Sequence, residues 1–596
     1  MALAAAMLVM LGILSLILVG VLAGAHGGGG LLNLTENGDQ SAGRQTQSTA
    51  AYNAADSGVE YTLQWLHNQP GPPNLTKASL LSALDTNYGG AYTLGSAAFT
   101  VWIFPDAANS QQTVKKYLIQ STGLCGGVSQ TVQAYVSLTS FGKYAVFLDT
   151  TPPNAFWMSG SNVFDGPVHS NNSNGVPPPN ATPTGARNNI VWSDGTAGSP
   201  VNPIFTYQGS DAFTVSGPSI NWYRNSYGGN PSAPTSEAEW RMIAAGGSGS
   251  IQTGVPMIPL PAIGTLKQQY AAMGQTPPDN DTDTTPPAGI PAGPDPVGVL
   301  VPSSGGTATG GLYIHGPVQQ MNLSVDPNNS TTQIIQVQQT DANNNPYTTT
   351  ITMTPSTSPP TTQVHVDYMQ ANGNSGTFGP ATTDNTYTGV TNGVVYADSN
   401  IGKTDPTTQK NNDPTTQTLV TNPASGGVTG VVADGATLTL ATDSSHNVNI
   451  NGSVTYHTPR QKDGNGNPLP ETDPSNANFR ANAGTFGIVS DNVQVVDNDA
   501  SGNAIKNIEV DAAVMAFGTY NAADYTSRPV GRMVNMGTYI VGTRGLFNTA
   551  YGLNVVSGIP CSRFYDNRLA DHPPPFFPTT SSQYQVLSWQ RVAVPL

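Results

Sequence analysis

The first 25 residues form one uninterrupted apolar run. Met1 to Ala25 contain no charged side chain and a single hydroxyl group, that of Ser15. At ~1.5 Å per residue, a helix of this length spans roughly 38 Å, which is enough to cross a bilayer core of about 30 Å or to pack in a helix bundle. The pattern leaves three interpretations open: a membrane anchor, a cleaved export signal, or the packing helix of a filament.

The residues on either side of the apolar run bear on these interpretations. A secretory signal carries Lys or Arg ahead of its apolar stretch, and the first such residue here is Arg44, although Ala23-Gly24-Ala25 fits a signal-peptidase site. We therefore expect that a leader has been removed and that Met1 begins the mature chain. The side chains expected to pack in a filament core are Met1, Leu3, Met7, Leu8, Leu11, Leu14, Leu18 and Leu22.

A second helical pattern follows a glycine-rich break at 27–30. Each glycine costs about 1 kcal/mol relative to alanine in a helix, so we expect this stretch to be melted or extended. Residues 1–68 are then predicted to form one N-terminal helical unit, ending before Pro70 and packing on a small domain. Its apolar stripe recurs at steps of three and four residues and comprises Ala51, Ala54, Ala55, Val59, Leu63 and Leu66.

Short β-strands are predicted for most of the remaining chain. Alternating apolar and polar residues over 91–148 predict a small β-rich head at 69–150 that packs against the helix. From 151 to 545, strands of roughly three to seven residues are separated by Gly, Asn, Asp and Pro turns. The predicted body strands are 164–169, 312–318, 393–396, 436–440, 448–454, 487–489, 493–496 and 508–515.

Such short strands must share one interior, because none can bury a core alone. Stacking as coils of a β-solenoid would provide that interior. A β-sandwich is the alternative, since the spacing is too irregular for a strict repeat. The predicted fold class is mainly β with a long N-terminal α-helix and a β-solenoid body. Polar insertions are predicted at 275–298 and 403–423, and a C-terminal cap at 546–596.

Composition excludes some classes of function. Charged residues make up 10% of the chain, the formal net charge is -15, and 21 Lys and Arg residues are spread thinly, which argues against nucleic-acid binding. Cys125 and Cys561 fit an exported protein, and either a disulfide between them or two buried thiols is open. Sequons at Asn33, Asn74 and Asn180 permit glycosylation.

Candidate catalytic and metal-binding groups are few. His169 and His315 both lie beside Gly-Pro-Val, and a histidine of a repeated turn accounts for them better than a ligand, because no His/Asp/Glu spacing accompanies them. The segment 279–283 has the first half of a calcium loop without its later Gly and Glu, and 463–467 is typical of a turn. Motifs of nucleophilic hydrolases and zinc proteases are missing from the sequence. We assign no catalytic residue, cofactor or metal ligand and expect a protein that is not an enzyme.

The segment 50–60, Ala-Ala-Tyr-Asn-Ala-Ala-Asp-Ser-Gly-Val-Glu, lies behind the apolar run and resembles the N-terminus of PilX-like type IV pilus proteins. Ala5 stands where a mature major pilin usually has glutamate, which departs from the major-subunit pattern. The body also resembles a large domain found behind PilX-like N-termini, through 165–171, 310–316, 392–396 and 564–578. The resemblance implies a pilin-like helix fused to a β-rich body, and it brings no catalytic role.

This resemblance implies a structural subunit of an extracellular, cell-surface filament of the type IV pilus kind. N-terminal helices would form its core, and β-rich bodies its outer surface. The implied partners are copies of the chain or other pilins, the inner membrane before assembly, and surface glycans. Two alternatives stay open: a minor or tip pilin for assembly priming or adhesion, and a membrane-anchored carbohydrate-binding or carbohydrate-degrading β-solenoid.

Overall fold

A computed structural model describes most of the chain from Gly30 onward. The described residues are 30–67, 92–105, 116–150, 164–171, 190–192, 203–205, 212–216, 219–223, 236, 251–253, 258–262, 264–275, 285–291, 297–341, 345–371, 378–402, 426–499, 501–551, 554–580 and 584–592. The chain is mainly β with a long N-terminal helix, which confirms the predicted fold class at this level. The insertion predicted at 403–423 and most of the one at 275–298 lie outside these residues.

The helices are α1 (Gly30–His67), α2 (Leu266–Ala272), α3 (Ala477–Asn482) and α4 (Arg568–Asp571). The strands are β1 (Tyr92–Leu94), β2 (Ala97–Pro105), β3 (Lys116–Cys125), β4 (Val128–Ser137), β5 (Val146–Thr150), β6 (Phe164–Asp165), β7 (Val168–Ser170), β8 (Ile190–Trp192), β9 (Pro203–Phe205), β10 (Ala212–Ser216), β11 (Ser219–Tyr223), β12 (Ile251–Thr253), β13 (Gly298–Leu300), β14 (Ser303–Ser304), β15 (Thr307–Ala308), β16 (Leu312–His315), β17 (Val318–Asp326), β18 (Asn329–Thr340), β19 (Pro346–Thr354), β20 (Thr361–Ala371), β21 (Phe378–Thr388), β22 (Val394–Ala397), β23 (Gly427–Val432), β24 (Thr437–Thr442), β25 (Asn447–Tyr456), β26 (Thr485–Ser490), β27 (Asn492–Val495), β28 (Asn507–Ala522), β29 (Arg532–Arg544), β30 (Asn548–Tyr551), β31 (Asn554–Gly558), β32 (Cys561–Phe564) and β33 (Gln585–Val592).

The head is an antiparallel sheet covered on one face by α1. Its strand order is β1-β2-β3-β4-β33, so the last strand of the chain completes a sheet begun by the first. Residues 585–592, within the predicted C-terminal cap at 546–596, form strand β33 of the head sheet. Strand β5, within the predicted head range 69–150, pairs in parallel with β29 and β7 of the body.

The body is held together by parallel pairings that form ladders A, B and C. Ladder A joins β16, β22, β24, β26, the middle of β28, the middle of β29, β5 and β7, in that spatial order. Ladder B joins Ile401, the first half of β25, β27 and the ends of β28 and β29. Ladder C joins β17, β23, the second half of β25, the starts of β28 and β29, β32 and β6.

The chain visits the ladders in the order A, B, C along β24 to β29. For example, β24 lies in ladder A, β25 runs through ladders B and C, and β26 returns to ladder A beside β24. The early strands β5 and β6 pair with the late strands β29 and β32. Entry to the body and exit from it therefore lie at the same end of the ladders, where both chain segments lead to the head.

An antiparallel meander, β17 to β21, lies at the other end of the ladders. One face of the meander is apolar: the cross-strand neighbours Leu323, Ile335, Ile351 and Val364 are buried in the main core of the body. The opposite face carries mostly Gln, Thr, Asn, His and Asp side chains, as in the cross-strand pair Thr350 and His365. The alternation of apolar and polar residues is that of a sheet with one buried and one solvated face.

Ladder A is buried on both of its faces. Leu312, Leu440 and Ile488 point into the main core, whereas Tyr313, Tyr396 and other residues of the same strands pack in a second cluster on the outside. That outer cluster contains Leu569 and Phe577 of the C-terminal segment together with Ala271 of α2. Strands buried on both faces have continuous apolar sequences, as Val394–Ala397 does.

Candidate assembly site: the N-terminal helix and its head sheet

The buried face of α1 is the stripe that the sequence predicts. Ala51, Ala54, Ala55 and Val59 are 0% exposed and Leu66 is 1% exposed, while Leu63 packs as a half-buried side chain. Glu60 and Gln64, predicted to lie off the stripe, are exposed. Small side chains on this face let the helix lie close to β2, β3 and β4, so burial is achieved by close contact of the two backbones.

One glycine of the sheet makes this close approach possible. A Cβ placed on Gly123 of β3 would lie 1.9 Å from the carbonyl oxygen of Ala51, a distance that real atoms do not adopt. Gln130 Nε2 of β4 donates a hydrogen bond to Ser48 Oγ at 2.9 Å, which fixes the helix at the edge of this contact. The sequence analysis found the alanines of the helix but missed Gly123, because a strand glycine has no periodic signal.

The N-terminal part of α1 extends away from the head. Residues 40–46 are exposed, and Ala51 is the first buried residue of the helix. From Gly30 to Ala51 the helix rises by roughly 30 Å at ~1.5 Å per residue. Gly30, part of the predicted glycine break, is the first described residue of α1, and 27–29 lie outside the described residues.

The residues predicted to pack in a filament core lie outside the described residues. These are Met1, Leu3, Met7, Leu8, Leu11, Leu14, Leu18 and Leu22. Within the part of the chain that the structure describes, no helix has both the length and the apolar character needed to span a membrane.

The C-terminal tail links the body to the head. This tail follows β32, packs over the outer face of ladder A and then forms β33. Between head and body, Phe141 N donates a hydrogen bond to Pro578 O of the tail at 3.1 Å. In β33, Trp589 packs against the α1–sheet core. Lys116 of β3 forms an ion pair with Asp571 of α4. The tail therefore anchors the head at two places, and the β33–β4 pairing joins residues more than four hundred positions apart, which leaves no local trace in the sequence.

The structure places the cysteines in separate clusters. Cys125 ends β3 and packs with Ala51, Ala54 and Phe99 in the head, whereas Cys561 begins β32 and lies in the main core of the body. Both are buried free thiols, and no disulfide joins them in this structure. Burial raises the pKa of the Cys561 thiol, which keeps it in the neutral form.

His169 and His315 both lie in ladder A, and both are held in buried hydrogen-bond networks. His315 Nδ1 lies 2.5 Å from Asp398 Oδ2, and the backbone N of Gly316 donates to Asp398 Oδ1 at 2.8 Å. The ring of His169 stacks on Phe147 with centroids 5.0 Å apart, and its Nε2 lies 2.9 Å from Asn171 Oδ1. Burial lowers the pKa of His169. Both histidines therefore take part in hydrogen bonds that hold neighbouring segments of ladder A together.

The acidic segments have different positions. Residues 279–283 lie outside the described residues, so the calcium-like pattern stays a sequence observation. Asp463 is the centre of a turn, as predicted: its Oδ1 accepts hydrogen bonds from Asn465 N and Asn467 N, both at 2.8 Å. Within the described ranges, no three His, Cys, Asp or Glu side chains are grouped so that they could hold a metal ion.

Comparisons with known proteins add a weak likeness to solved structures. The chain matches no protein-family model and no curated protein. Among solved structures it is similar to the competence-associated pilin ComZ from Thermus thermophilus, with 12% sequence identity, 92% of this chain and 98% of that chain covered, and a TM-score of 0.26. A TM-score this low carries no argument about fold or function, so the function must rest on the geometry of the helix and its head.

Proposed function

We propose that this chain is a structural subunit of an extracellular type IV pilus-like filament. Its N-terminal helices would form the filament core, and its β-rich bodies the outer surface. The observation that carries the proposal is the geometry of α1: its second half is buried on the head, and roughly 30 Å of helix precedes Ala51 in the direction of the apolar run. If α1 continues into the apolar run, that run would be able to pack with the same segment of another copy.

The segment that resembles PilX-like proteins supports this proposal. Residues 50–60 lie in the part of α1 that packs on the head sheet, and Ala51, Ala54, Ala55 and Val59 of the segment are fully buried. Dispersion and burial of the apolar run at ~25 cal/mol per Å² would supply the cohesion between copies, reduced by association and ordering costs. Before assembly, the same run would hold the subunit in the inner membrane.

For the body, we propose a β-solenoid. The parallel ladders A, B and C and the repeated order of visits support stacked coils, whereas the sandwich alternative is built from antiparallel sheets. Because entry and exit lie at the head end, the β17–β21 meander would be the part farthest from the filament core. Its polar, solvated face favours the alternative of a minor or tip pilin that presents an adhesive body.

We propose no enzymatic role. The packing of Phe577, Leu569 and α2 on the outer face of ladder A supports this proposal, since a glycosidase needs two carboxylates at an accessible site. A membrane-anchored, carbohydrate-binding solenoid stays an alternative, and a glycan screen with product detection would separate binding from degradation. The stoichiometry of the chain relative to the main filament subunit would separate a tip protein from a main subunit.

The proposal is tested by electron microscopy and mass spectrometry of sheared surface filaments. We expect the wild-type chain in the filaments, and the variant Leu11→Arg absent from them because a charge in the apolar run opposes helix packing. Gln40→Arg, in the exposed part of α1, is the matched control and should assemble. Recovery of the wild-type chain only in the membrane fraction, or assembly of Leu11→Arg as efficient as that of Gln40→Arg, would overturn the proposal.

A further inference from the structure

The turn between β17 and β18 carries an acceptor sequence for N-linked glycans, Asn329-Ser330-Thr331. Strand β17 ends at Asp326 and β18 begins at Asn329, so Pro327 and Asn328 form the tip of the hairpin. Both tip residues are exposed. The acceptor sequence therefore starts directly beside an exposed hairpin tip, with Asn329 itself half-buried.

The side chain of Asn329 is held in a defined orientation. Its Oδ1 accepts hydrogen bonds from Thr331 N at 3.1 Å and from Thr331 Oγ1 at 2.8 Å. Its Nδ2 donates to Ser356 Oγ at 2.8 Å, a contact at the protein surface. The Thr331 hydroxyl, which completes the sequon, thus polarises the Asn329 carboxamide by donating to its oxygen. The carboxamide nitrogen contacts the exposed Ser356 hydroxyl, which a sugar donor could displace.

An overlapping sequon, Asn328-Asn329-Ser330, begins one residue earlier at the exposed tip, and Asn329 is distinguished from it by the hydrogen bond from the Thr331 hydroxyl to its carboxamide oxygen. Two further described sequons lie in paired strands of the body. Asn451, followed by Gly452 and Ser453, is 1% exposed and donates through Nδ2 to Gln320 Oε1 at 2.6 Å inside the body. Asn322, followed by Leu323 and Ser324, lies in the middle of β17 and is paired with β18 on one side and β23 on the other. A transferase cannot reach the Asn451 carboxamide without opening the ladders, and it cannot bend the segment around Asn322 out of β17 without breaking both pairings. The position of Asn329 beside an exposed turn therefore distinguishes it from the sequons at Asn451 and Asn322.

We propose that Asn329 is the acceptor of an N-linked oligosaccharide. The donor would be a lipid-linked oligosaccharide pyrophosphate, used by a transferase at the outer side of the membrane, so the inference rests on the proposed export of the chain. Asn329 Nδ2 forms a bond to the anomeric carbon of the first sugar while the bond from that carbon to the pyrophosphate oxygen breaks. The lipid pyrophosphate leaves with the electron pair, and the Nδ2 proton passes to a base of the transferase.

The test is peptide mass mapping of the full-length protein purified from the surface of its native cells. We expect the peptide containing 327–332 to carry a saccharide mass on Asn329. Thr331→Ser, which keeps the hydroxyl, should retain it, whereas Thr331→Val, which matches threonine in shape without the hydroxyl, should lose it at least tenfold. Asn328→Gln should leave it unchanged.

Each other outcome counts against the inference. A bare peptide from protein found in surface filaments overturns the glycan site and leaves the proposed function intact. A saccharide on Asn328, or one that persists in Thr331→Val, overturns the assignment to Asn329. A chain that is never exported overturns both proposals. If Thr331→Val fails to reach the surface, Asn329→Gln supplies the second comparison, and its mass should equal that of the bare chain.

Discussion

Gly58 of α1 lies directly against Ser121 of β3: a Cβ on Gly58 would be 2.2 Å from Ser121 Oγ and 2.7 Å from the ring of Phe99. Gly123 of β3 lies in the same way against Ala51 of α1. The close contact between helix and sheet therefore requires one glycine on the helix and one on the sheet. A helix glycine is ordinarily unfavourable. Here the loss of helix propensity is offset by the burial that the close approach allows.

We predict that Gly58→Ala destabilises the head by about 1–3 kcal/mol, because the added methyl group forces the helix off the sheet. The matched control is Gly43→Ala in the exposed part of the same helix, where nothing lies within 4 Å of the added Cβ. That change should stabilise α1 by up to ~1 kcal/mol. Hydrogen exchange of β3 amides measures both effects. Equal protection in the two variants would contradict the close contact.

Much of the strand pattern could be predicted from the sequence. The predicted segments at 393–396, 436–440 and 487–489 lie in or overlap β22, β24 and β26, because short Val- and Leu-rich runs between turn formers have few other structures available. The stripe from Ala51 to Leu66 was predictable for a similar reason, since helical periodicity is a local property.

Pairings between distant residues could not be predicted. Nothing in 144–148 shows that β5 pairs with Tyr539 and its neighbours, since a buried strand of the body and a buried strand of the head have the same local composition. Trp589 likewise carries no sign that β33 returns to β4. At the candidate site, the pattern of apolar residues indicated which side of α1 is buried. The roles of Gly58 and Gly123 could not be predicted, because they depend on how closely α1 packs on the head sheet.

A row of amide side chains links neighbouring coils at ladder B. Asn492 Nδ2 donates to Asn447 Oδ1 at 3.0 Å, and Asn492 Oδ1 accepts from Thr519 N at 2.8 Å. We predict that Asn492→Leu lowers the free energy of unfolding of the body by about 1–3 kcal/mol, because Thr519 N loses its partner. Gln494→Leu, two residues along the same strand, is the control and should change it by less than ~1 kcal/mol. Urea unfolding followed by circular dichroism measures the difference, and equal effects would rule out the amide row as a stabilising element.

The buried carboxyl group of Asp497 should make the stability of the folded chain depend on pH. Burial raises its pKa to about 7, and the hydrogen bond and charge of Asp524 act in the same direction, whereas Arg528 opposes them. The folded state therefore holds a proton that the unfolded chain releases near pH 4. Stability should fall as the pH rises from about 4 to about 7 and should then level off.

Asp497→Asn should remove this fall and should raise the melting temperature at pH 8 relative to wild type. Asp499→Asn, in the same loop, is the opposite case: hydrogen bonds from the backbone N and side chain of Asn503 lower the pKa of Asp499. Its carboxylate stabilises the folded state above its unfolded pKa, so its replacement should lower the melting temperature at pH 8. Melting curves between pH 4 and pH 8 test both, and parallel pH profiles for wild type and Asp497→Asn would contradict the assignment.

The tail contains a buried ion pair, Arg568 with Asp566, and the guanidinium of Arg568 also contacts Phe479 of α3 in the body. Arg568 Nε and a terminal nitrogen donate to the two oxygens of Asp566 at 2.9 and 2.7 Å, and the guanidinium lies 4.1 Å above the ring of Phe479. Asp566 is fully buried. Arg568→Met would leave its carboxylate uncompensated in the interior, so we predict a loss of about 3–5 kcal/mol in the free energy of unfolding.

The exposed pair Lys116 and Asp571 provides the comparison, because it joins the same tail to the head in solvent. Lys116→Met should cost less than about 1 kcal/mol. If Arg568 acts by neutralising Asp566, adding Asp566→Leu to Arg568→Met should recover part of the loss, since an apolar pair leaves no buried charge. Denaturant unfolding of the single and double variants measures this coupling. A double variant whose loss equals the sum of the two single losses would show that Arg568 stabilises the tail through its contacts with Phe479 and the Ala483 carbonyl instead.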